Sequence, residues 1–359
     1  MVDAGFDEED SAGMGYLDQI YETFLGSYLL RIAPVYVFAT VVVGAAIYFV
    51  RERGAGLKGF FSWLFPRDIY LHASHLNDIK VFFAGRLLVL FGLFNLIFVS
   101  PLTIFAVMKS LDALAATGGE ADPGSMAQSP LAQTFLVTVV LVVVADFCTY
   151  WVHRLHHEWS VFWPFHAEHH SAEVMTPITA YRKHPVYDLI NGFVRSLGIG
   201  LVTGCVLYAV FEKVTYLQIG QANVIYVVFN LFGANFRHSH VWISYGRALE
   251  HILISPAQHQ IHHSAAVEHH NKNYGEIFAL WDWIFGSLYI PEKRENLVFG
   301  LADADGNLME QPHPTLRKSF IEPVQSSFSE VRRIFGGRRA GMHVDKASGD
   351  PLPPSEPAE

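Results

Sequence analysis

Residues 146–170 read DFCTYWVHRLHHEWSVFWPFHAEHH, a segment that leaves an apolar run and ends in two groups of histidines. A third group, HQIHH at 259–263, repeats the spacing of HAEHH at 166–170. Histidines three and four residues apart lie on one face of an α-helix, so each group can direct its imidazoles towards one place. The pattern predicts helices that carry a shared histidine site at the end of a membrane span.

The composition is typical of a membrane protein. Of the 359 residues, 51% are hydrophobic and only 16% are charged, whereas soluble chains carry about 25% charged residues. The net charge of −9 lies mostly in acidic residues near the two ends and offers no basic surface for nucleic acid. The two cysteines, Cys148 and Cys205, lie in apolar runs, which excludes an iron–sulfur cluster with about four cysteine ligands.

Five apolar runs are long enough to be considered as membrane spans, since about 20 residues cross a bilayer as a helix. They cover residues 32–50, 87–108, 131–151, 186–211 and 214–236. The loop 51–86 is rich in Lys and Arg, which places it, and with it the histidine groups, on the cytoplasmic side of a bacterial inner membrane or the ER. The acidic N-terminus has no basic region of the signal-peptide kind, so the first run is interpreted as a retained anchor.

The expected fold class is therefore all-α: a polytopic transmembrane helical bundle of about four or five spans, with a cytoplasmic helical cap that carries a His-rich di-metal site. We expect three regions: an N-terminal membrane region, a catalytic domain and a polar C-terminal tail that is partly disordered. Their boundaries are 1–130, 131–292 and 293–359.

The run 186–236 is predicted to form a hairpin that is either spanning or re-entrant. Asp188 and Arg195 interrupt its first half, and charges inside a span usually face a cavity or the interior of the bundle. Asn223 and Asn230 are seven residues apart and share a helical face. The hairpin is a candidate wall for a substrate path, although amides bonded within the bundle would explain the two asparagines equally well.

The number of histidines points to a site for two metal ions. Fifteen of the 19 histidines lie between 153 and 270, and imidazole suits iron, zinc, copper and nickel. A catalytic zinc uses about three protein ligands, so eight or nine candidates are too many for one ion. The zinc protease motif HExxH is absent. A set of solvated surface histidines would leave the repeated spacing without an explanation.

Two kinds of function fit such a site. Two irons in a nitrogen-rich site beside the bilayer indicate O2 activation and attack on an unactivated C–H bond. The alternative is a non-redox membrane metalloprotein, such as a zinc hydrolase or a metal-binding protein, that uses the same imidazoles. With no GxGxxG nucleotide motif in a βαβ context and no cysteine cluster, a redox enzyme would need a separate electron donor.

The ordered motifs resemble those of the fatty acid hydroxylase/sterol desaturase superfamily of integral-membrane di-iron oxygenases. They are DFCTYWVHRLHH, FHAEHHSAEVMTPITAYRKHP, FRHSH and SPAQHQIHHSAAVEHHNKNYGEIFALWDWIFGSLYIP, within residues 146–291. The resemblance implies metal ligation by nine histidines: His153, His157, His166, His169, His170, His238, His259, His262 and His263. Many members have Asn two residues after the equivalent of His238, where this chain has His240, so the role of His240 stays open.

The same resemblance implies an O2-dependent hydroxylase or desaturase that acts on a membrane lipid, with the sterol desaturase-like branch favoured. Two iron ions, O2 as co-substrate and an external donor such as a ferredoxin, cytochrome b5 or a reductase would be required. Sterols, fatty acyl chains and related lipids all remain compatible as substrates.

Several further residues are candidates for supporting roles. Asp146 lies seven residues before His153 on one helical face and is interpreted either as the partner of a ligand imidazole or as a carboxylate paired elsewhere. His184 falls in a family motif and is assigned to the catalytic site, while supporting roles for His156, His269 and His270 stay open. The residues expected to shape the turn after the third group are Asn271, Asn273 and Tyr274.

Overall fold

The computed structural model describes residues 21, 23–24, 30–51, 56–94, 96, 99–115, 130–210, 230–231, 233–303 and 305–336. Within these residues the chain is helical and contains no strand, apart from three isolated bridges. The α-helices are α1 (Pro34–Arg51), α2 (Gly56–Leu64), α3 (Arg67–Tyr70), α4 (Ala73–Leu90), α5 (Val99–Ala115), α6 (Pro130–Glu158), α7 (Trp163–His170), α8 (Pro185–Val210), α9 (Pro256–His262), α10 (Leu280–Phe285) and α11 (Leu316–Phe335).

Three helical segments are long and apolar enough to cross a membrane: Pro34–Arg51, Thr138–Glu158 and Pro185–Val206. They coincide with three of the five predicted runs. The continuous helix predicted over 87–108 is wrong, because α4 ends at Leu90 and α5 begins at Val99. Gly92 between them has a φ of +78°, a left-handed conformation that glycine adopts readily. The predicted run 214–236 falls largely on 211–229, outside the described residues.

The bundle around the site is built by α5, α6 and α8, and small residues on α8 allow close approach. A Cβ added at Gly200 would lie 2.6 Å from the Cβ of Thr103 on α5, and one at Gly198 would lie 2.5 Å from the sulfur of Cys148 on α6. Small residues at helix contacts are how membrane helices gain packing where lipid is as apolar as a side chain. Helices α5 and α6 therefore both pack closely against α8.

Helix α6 connects the bundle to the histidine layer. Its 29 residues give a length of about 43 Å at 1.5 Å per residue, which exceeds the hydrocarbon thickness of a bilayer of about 30 Å. The run of Leu, Val and Ala at its centre is followed by polar side chains in its last turns. The final turns, with His153 and His157, therefore extend beyond the apolar run.

Helix α7 is held by a buried ionic network. The guanidinium of Arg182 donates from Nη1 to Oδ1 of Asp78 on α4 at 2.8 Å, and its Nε lies 3.2 Å from the carboxylate of Glu168 on α7. All three side chains are fully buried. Arg182 also donates from Nη2 to the hydroxyl of Ser171 at 2.8 Å. This network connects α4, α7 and the segment that follows α7, and so fixes the helix that carries the second histidine group.

Candidate metal centre

Four segments supply the histidines. The last turns of α6 carry His153 and His157, α7 carries the second group, and α9 with its C-cap carries the third. His238 follows the short helical stretch 233–237. Ser255 starts α9 through a reciprocal capping box with Gln258 and is followed by Pro256, a combination that defines a helix start.

The nine predicted histidines come together as two adjoining groups. We call the first group site A and the second site B. Site A comprises His153, His157, His166, His170 and His262, and site B comprises His169, His238, His259 and His263. In each group one nitrogen per ring lies within 4.8 Å of those of the others, and every side chain is buried.

The ring nitrogens in both sites face one another. In site A, Nε2 of His166 lies 2.9 Å from Nε2 of His153 and 3.2 Å from Nε2 of His170. In site B, Nε2 of His238 lies 3.3 Å from that of His169 and 3.1 Å from that of His259. One Nε2 cannot satisfy two such neighbours with a single proton, so the arrangement is better suited to lone pairs that share a cation.

Other buried nitrogens in the two sites have no hydrogen-bond partner. They are Nε2 of His157, His262 and His263, together with Nδ1 of His166, His169, His238 and His259. A buried polar atom without a partner costs about 1–3 kcal/mol, so a set of them in one place calls for an explanation. Coordination of a metal ion would use the Nε2 lone pairs, and the imidazole donor set fits iron.

Backbone carbonyls fix the orientation of two site A rings. Nδ1 of His153 donates to the carbonyl oxygen of Tyr274 at 2.7 Å, and Nδ1 of His262 donates to that of Lys272 at 2.8 Å. The proton is held at Nδ1, which leaves Nε2 as the free lone pair. Asn271 and Asn273 have φ values of 59° and 56°, and this left-handed backbone presents both carbonyls to the rings.

Asp146 does not contact any of the nine rings. Its carboxylate accepts hydrogen bonds from the backbone N–H groups of Ile277 and Phe278 and from the indole of Trp281, at 2.8, 3.1 and 2.9 Å. The interpretation as partner of a ligand imidazole is therefore replaced by the second one, a carboxylate paired elsewhere. Asp146 anchors the segment after the third group to α6.

Replacing Asp146 with alanine leaves three donors without their acceptor, the backbone N–H groups of Ile277 and Phe278 and the indole of Trp281. Hydrogen bonds to a charged group contribute about 1.5–3 kcal/mol each, so we expect a loss of stability of at least that size. Thermal unfolding of the purified protein in detergent measures it. Asp303→Ala at an exposed turn is the matched control, and an equal effect of the two substitutions would contradict the anchoring role.

His184 also lies apart from the two sites. Its Nε2 donates to the carbonyl oxygen of Phe320 at 3.0 Å, and its Nδ1 accepts from the backbone N–H of Val186. The ring therefore joins the start of α8 to α11 and is not part of the catalytic cluster as placed by the structure. The motif around His184 does not distinguish this role from metal ligation, because the partner carbonyl of Phe320 lies 136 residues further along the chain.

The remaining histidines whose roles the sequence left open are bonded outside the clusters. Nδ1 of His156 donates to the carbonyl of Val152, and Nε2 of His240 donates to that of Trp63 at 2.7 Å. Nε2 of His269 lies 3.0 Å from a carboxylate oxygen of Glu295. Nε2 of His270 lies 3.2 Å from the carbonyl oxygen of Ala265.

Burial keeps the imidazoles outside the spanning helices neutral. It lowers the pKa of His166, His169 and His238 well below 6.5, and neighbouring histidines add to the shift. Burial also lowers the pKa of His262 to about 4. Neutral imidazole is the form that binds a metal ion.

These shifts predict how the metal-free protein responds to acid. An unfolded histidine with a pKa of about 6.5 binds a proton that the folded site excludes, so stability is full above pH 6.5 and falls as the pH drops towards about 4. Melting temperatures of chelator-treated protein across this window measure the effect. A flat profile between pH 6.5 and about 4 would contradict neutral burial of the rings.

A cavity of about 780 Å³ lies beside the sites, with His153 and His166 of site A and three histidines of site B in its wall. It extends along the first half of α8, between α8 and the segment 82–100. Asp188 and Arg195 line it, as the sequence predicts for charges inside a span. Asn230 is buried but is not part of this wall, and Asn223 lies outside the described residues.

Comparison with known proteins matches residues 138–287 to the fatty acid hydroxylase family. Alkylglycerol monooxygenase of Homo sapiens is 31% identical over 190 residues, which cover 53% of this chain and 36% of that protein. The ornithine lipid hydroxylase OlsE of Rhizobium tropici is 30% identical over 195 residues, 54% of each chain. Delta(7)-sterol 5(6)-desaturase ERG3B of Gibberella zeae is 31% identical over 183 residues, 48% of this chain and 51% of that protein.

The chain thus spans 36 to 54% of the length of these three relatives. No solved structure matches it. The matched region contains all nine histidines of sites A and B and the anchoring carboxylate of Asp146. The part of the chain that carries both sites therefore matches the fatty acid hydroxylase family, and the chain is similar to lipid hydroxylases and sterol desaturases.

Proposed function

We propose that the protein is a membrane-bound, O2-dependent oxygenase that uses two iron ions to hydroxylate or desaturate a C–H bond of a lipid. The observation that carries the proposal is the pair of adjoining, buried histidine sites, whose ring nitrogens face one another beside a cavity in the helical bundle. The relatives named above support it, since their names describe a monooxygenase, a hydroxylase and a desaturase of lipids.

Site A offers five imidazoles and site B four, a donor set that suits iron and leaves room for two ions. When bound, a pair of irons would supply the O2-dependent oxidation of an unactivated C–H bond. The protein itself positions the ligand nitrogens. The carbonyls of Lys272 and Tyr274 hold the rings of His262 and His153 with Nε2 directed towards the other histidines of site A.

Exclusion of water is the second contribution of the chain. The rings of both sites are buried, and Trp163 and Tyr274 pack against His157 with ring centroids 5.2 and 5.1 Å away. The cavity is the route by which an aliphatic chain reaches the sites, and its shape would select the carbon that is presented. Tyr187 packs on the ring of His166 at 4.8 Å and forms the part of this wall next to site A.

The wider arrangement in the membrane follows from this function. We place the histidine layer on the cytoplasmic side, because the basic segment 51–86 precedes it and an electron donor could reach it there. A ferredoxin, cytochrome b5 or a reductase would supply the electrons. About four or five spans would anchor the chain.

The test combines metal analysis with product analysis. Purified protein should contain two irons per chain and, with a reductant and 18O2, should place one 18O atom in a hydroxylated lipid or remove two hydrogens in a desaturated one. Lipid extracts of a deletion strain and its parent would identify the substrate. Zinc in place of iron, together with turnover that needs neither O2 nor reductant, would overturn the proposal in favour of a zinc hydrolase.

A further inference from the structure

The cavity beside the metal sites carries an excess of positive charge. Five cationic side chains line it, against two carboxylates. The cations are Arg31, Arg86, Lys183, Arg195 and Arg237, and the carboxylates are Asp188 and Glu276. A cavity that served only an uncharged sterol or hydrocarbon chain would gain nothing from an excess of three positive charges, because burying charge in an apolar wall costs free energy.

One of the two carboxylates, that of Glu276, already forms an ion pair with a cation of the cavity wall. Nη2 of Arg31 lies 3.2 Å from Oε1 of Glu276. Burial alone would raise the pKa of Glu276, but the surrounding cations, with Arg31 the strongest, lower it below its usual range. Glu276 therefore stays ionised and neutralises part of the charge close to site B, while the excess remains on the other side chains.

Beyond the Arg31–Glu276 pair, four cations remain in the wall against one carboxylate, Asp188, which acts electrostatically on Arg86 and Lys183. Three of these four cations are Arg86, Lys183 and Arg195. None of the three has a carboxylate within 4.0 Å among the residues that the structure describes. Nε of Arg86 donates to the carbonyl oxygen of Thr23 at 2.9 Å, which holds the side chain without neutralising it. Arg195 lies within the spanning segment of α8, where an ionisable residue normally faces a cavity and serves binding.

The rest of the wall is apolar or aromatic. Phe82, Val89, Phe94 and Leu96 line the same cavity, so it offers a surface for a hydrocarbon chain beside the cations. We propose that the cavity binds an acidic amphiphile, a lipid whose head group carries a phosphate or carboxylate that pairs with Arg86 and Arg195 while its chain reaches the metal sites. This inference rests on the proposed function and narrows its substrate class.

The placement of Arg195 separates the anion from the oxidised carbon. Arg195 lies eight residues after Tyr187, about 12 Å along the helix axis at 1.5 Å per residue, and Tyr187 packs on His166 of site A. A head group held by Arg195 is therefore distant from site A. The oxidised C–H bond belongs to the chain and is several bonds removed from the head group.

A binding assay with matched lipids tests the inference on the full-length protein in detergent. The probes are radiolabelled 1-oleoyl-lysophosphatidic acid against 1-monooleoylglycerol, and oleate against oleyl alcohol, which share a chain within each pair. Each acidic member should bind roughly tenfold more tightly than its neutral partner, the effect of one charge-assisted contact. An excess of inorganic phosphate should not displace it, because the chain contributes to binding.

Substitutions then locate the contact. Arg86→Gln and Arg195→Gln should each remove most of the preference for the acidic probe and leave the neutral probe within about twofold, while Arg195→Lys should retain it. Arg247→Gln, at an exposed residue away from the cavity, is the control and should behave as the parent protein. Melting temperatures verify that the variants are folded. The comparison of acidic and neutral probes on the parent protein tests the inference even if a variant does not fold.

Equal binding of acidic and neutral probes, equal losses for both in the variants, or displacement by phosphate alone would overturn the inference. Binding is measured here without O2 or turnover. Its failure would therefore leave the oxygenase proposal intact, whereas a lack of iron or of O2 dependence would overturn that proposal without changing the binding result.

Discussion

His169→Ala and His262→Ala are each expected to lower O2-dependent product formation by 100-fold or more, on the order of the largest losses seen when the support of a metal ligand is removed. His169 belongs to site B and His262 to site A, so the two substitutions remove one nitrogen from each site. Product formation under reducing conditions and iron content per chain are the measurements. Iron should fall together with activity in both variants.

His251→Ala is the matched control for these variants. Its Nδ1 donates to the carbonyl oxygen of Arg247 in an exposed turn, and it lies outside both sites. The control should retain parental iron and activity. Full activity in both His169→Ala and His262→Ala, with iron retained, would contradict the assignment of these rings as ligands.

Arg182→Ala is expected to destabilise the fold by about 3–5 kcal/mol, the cost of removing one partner from a buried ion pair. The substitution leaves the carboxylates of Asp78 and Glu168 buried without their guanidinium. Burial raises the pKa of Glu168 to about 7 even though Arg182 opposes the shift, so this carboxylate already depends on its partner. Chemical denaturation in detergent measures the loss.

Arg247, an exposed residue that forms no salt bridge with the other residues the structure describes, supplies the control. Arg247→Ala should change stability by less than about 1 kcal/mol, because substitutions at exposed charged residues cost little. If Arg182→Ala were no more costly than Arg247→Ala, the network would not be what holds α7 in place. Since α7 contributes to both sites, loss of the network should also lower iron content.

The sequence predicted that the histidines within each group share a helical face, because spacing on a helix is a local property. His166, His169 and His170 lie at positions i, i+3 and i+4 of α7, and the third group has the same spacing on α9 and its C-cap. The helical class and three of the spans follow from apolar runs of sufficient length. These features need no knowledge of how the chain folds back on itself.

The division into two sites could not be predicted in this way. His262 joins site A while His259 and His263 join site B, a choice that depends on the angle at which α9 meets α7. The partners of Asp146 and His184 likewise come from 131 and 136 residues away. Every residue has a backbone carbonyl, so the sequence cannot show which carbonyls orient the histidine rings. The turn at Gly92 lies inside an apolar run, and the composition of that run does not predict a break in the helix.

Helices α7 and α9 each place histidines in both sites, and this shared scaffold has a consequence for metal loading. An ion bound in site A would immobilise His166, His170 and His262, and would thereby fix the backbone that carries His169 and His259. Both helices would then be ordered by the first ion, and a second ion would meet a site that is already arranged. We therefore expect a titration of the metal-free protein to pass from empty to two ions with little of the singly occupied form.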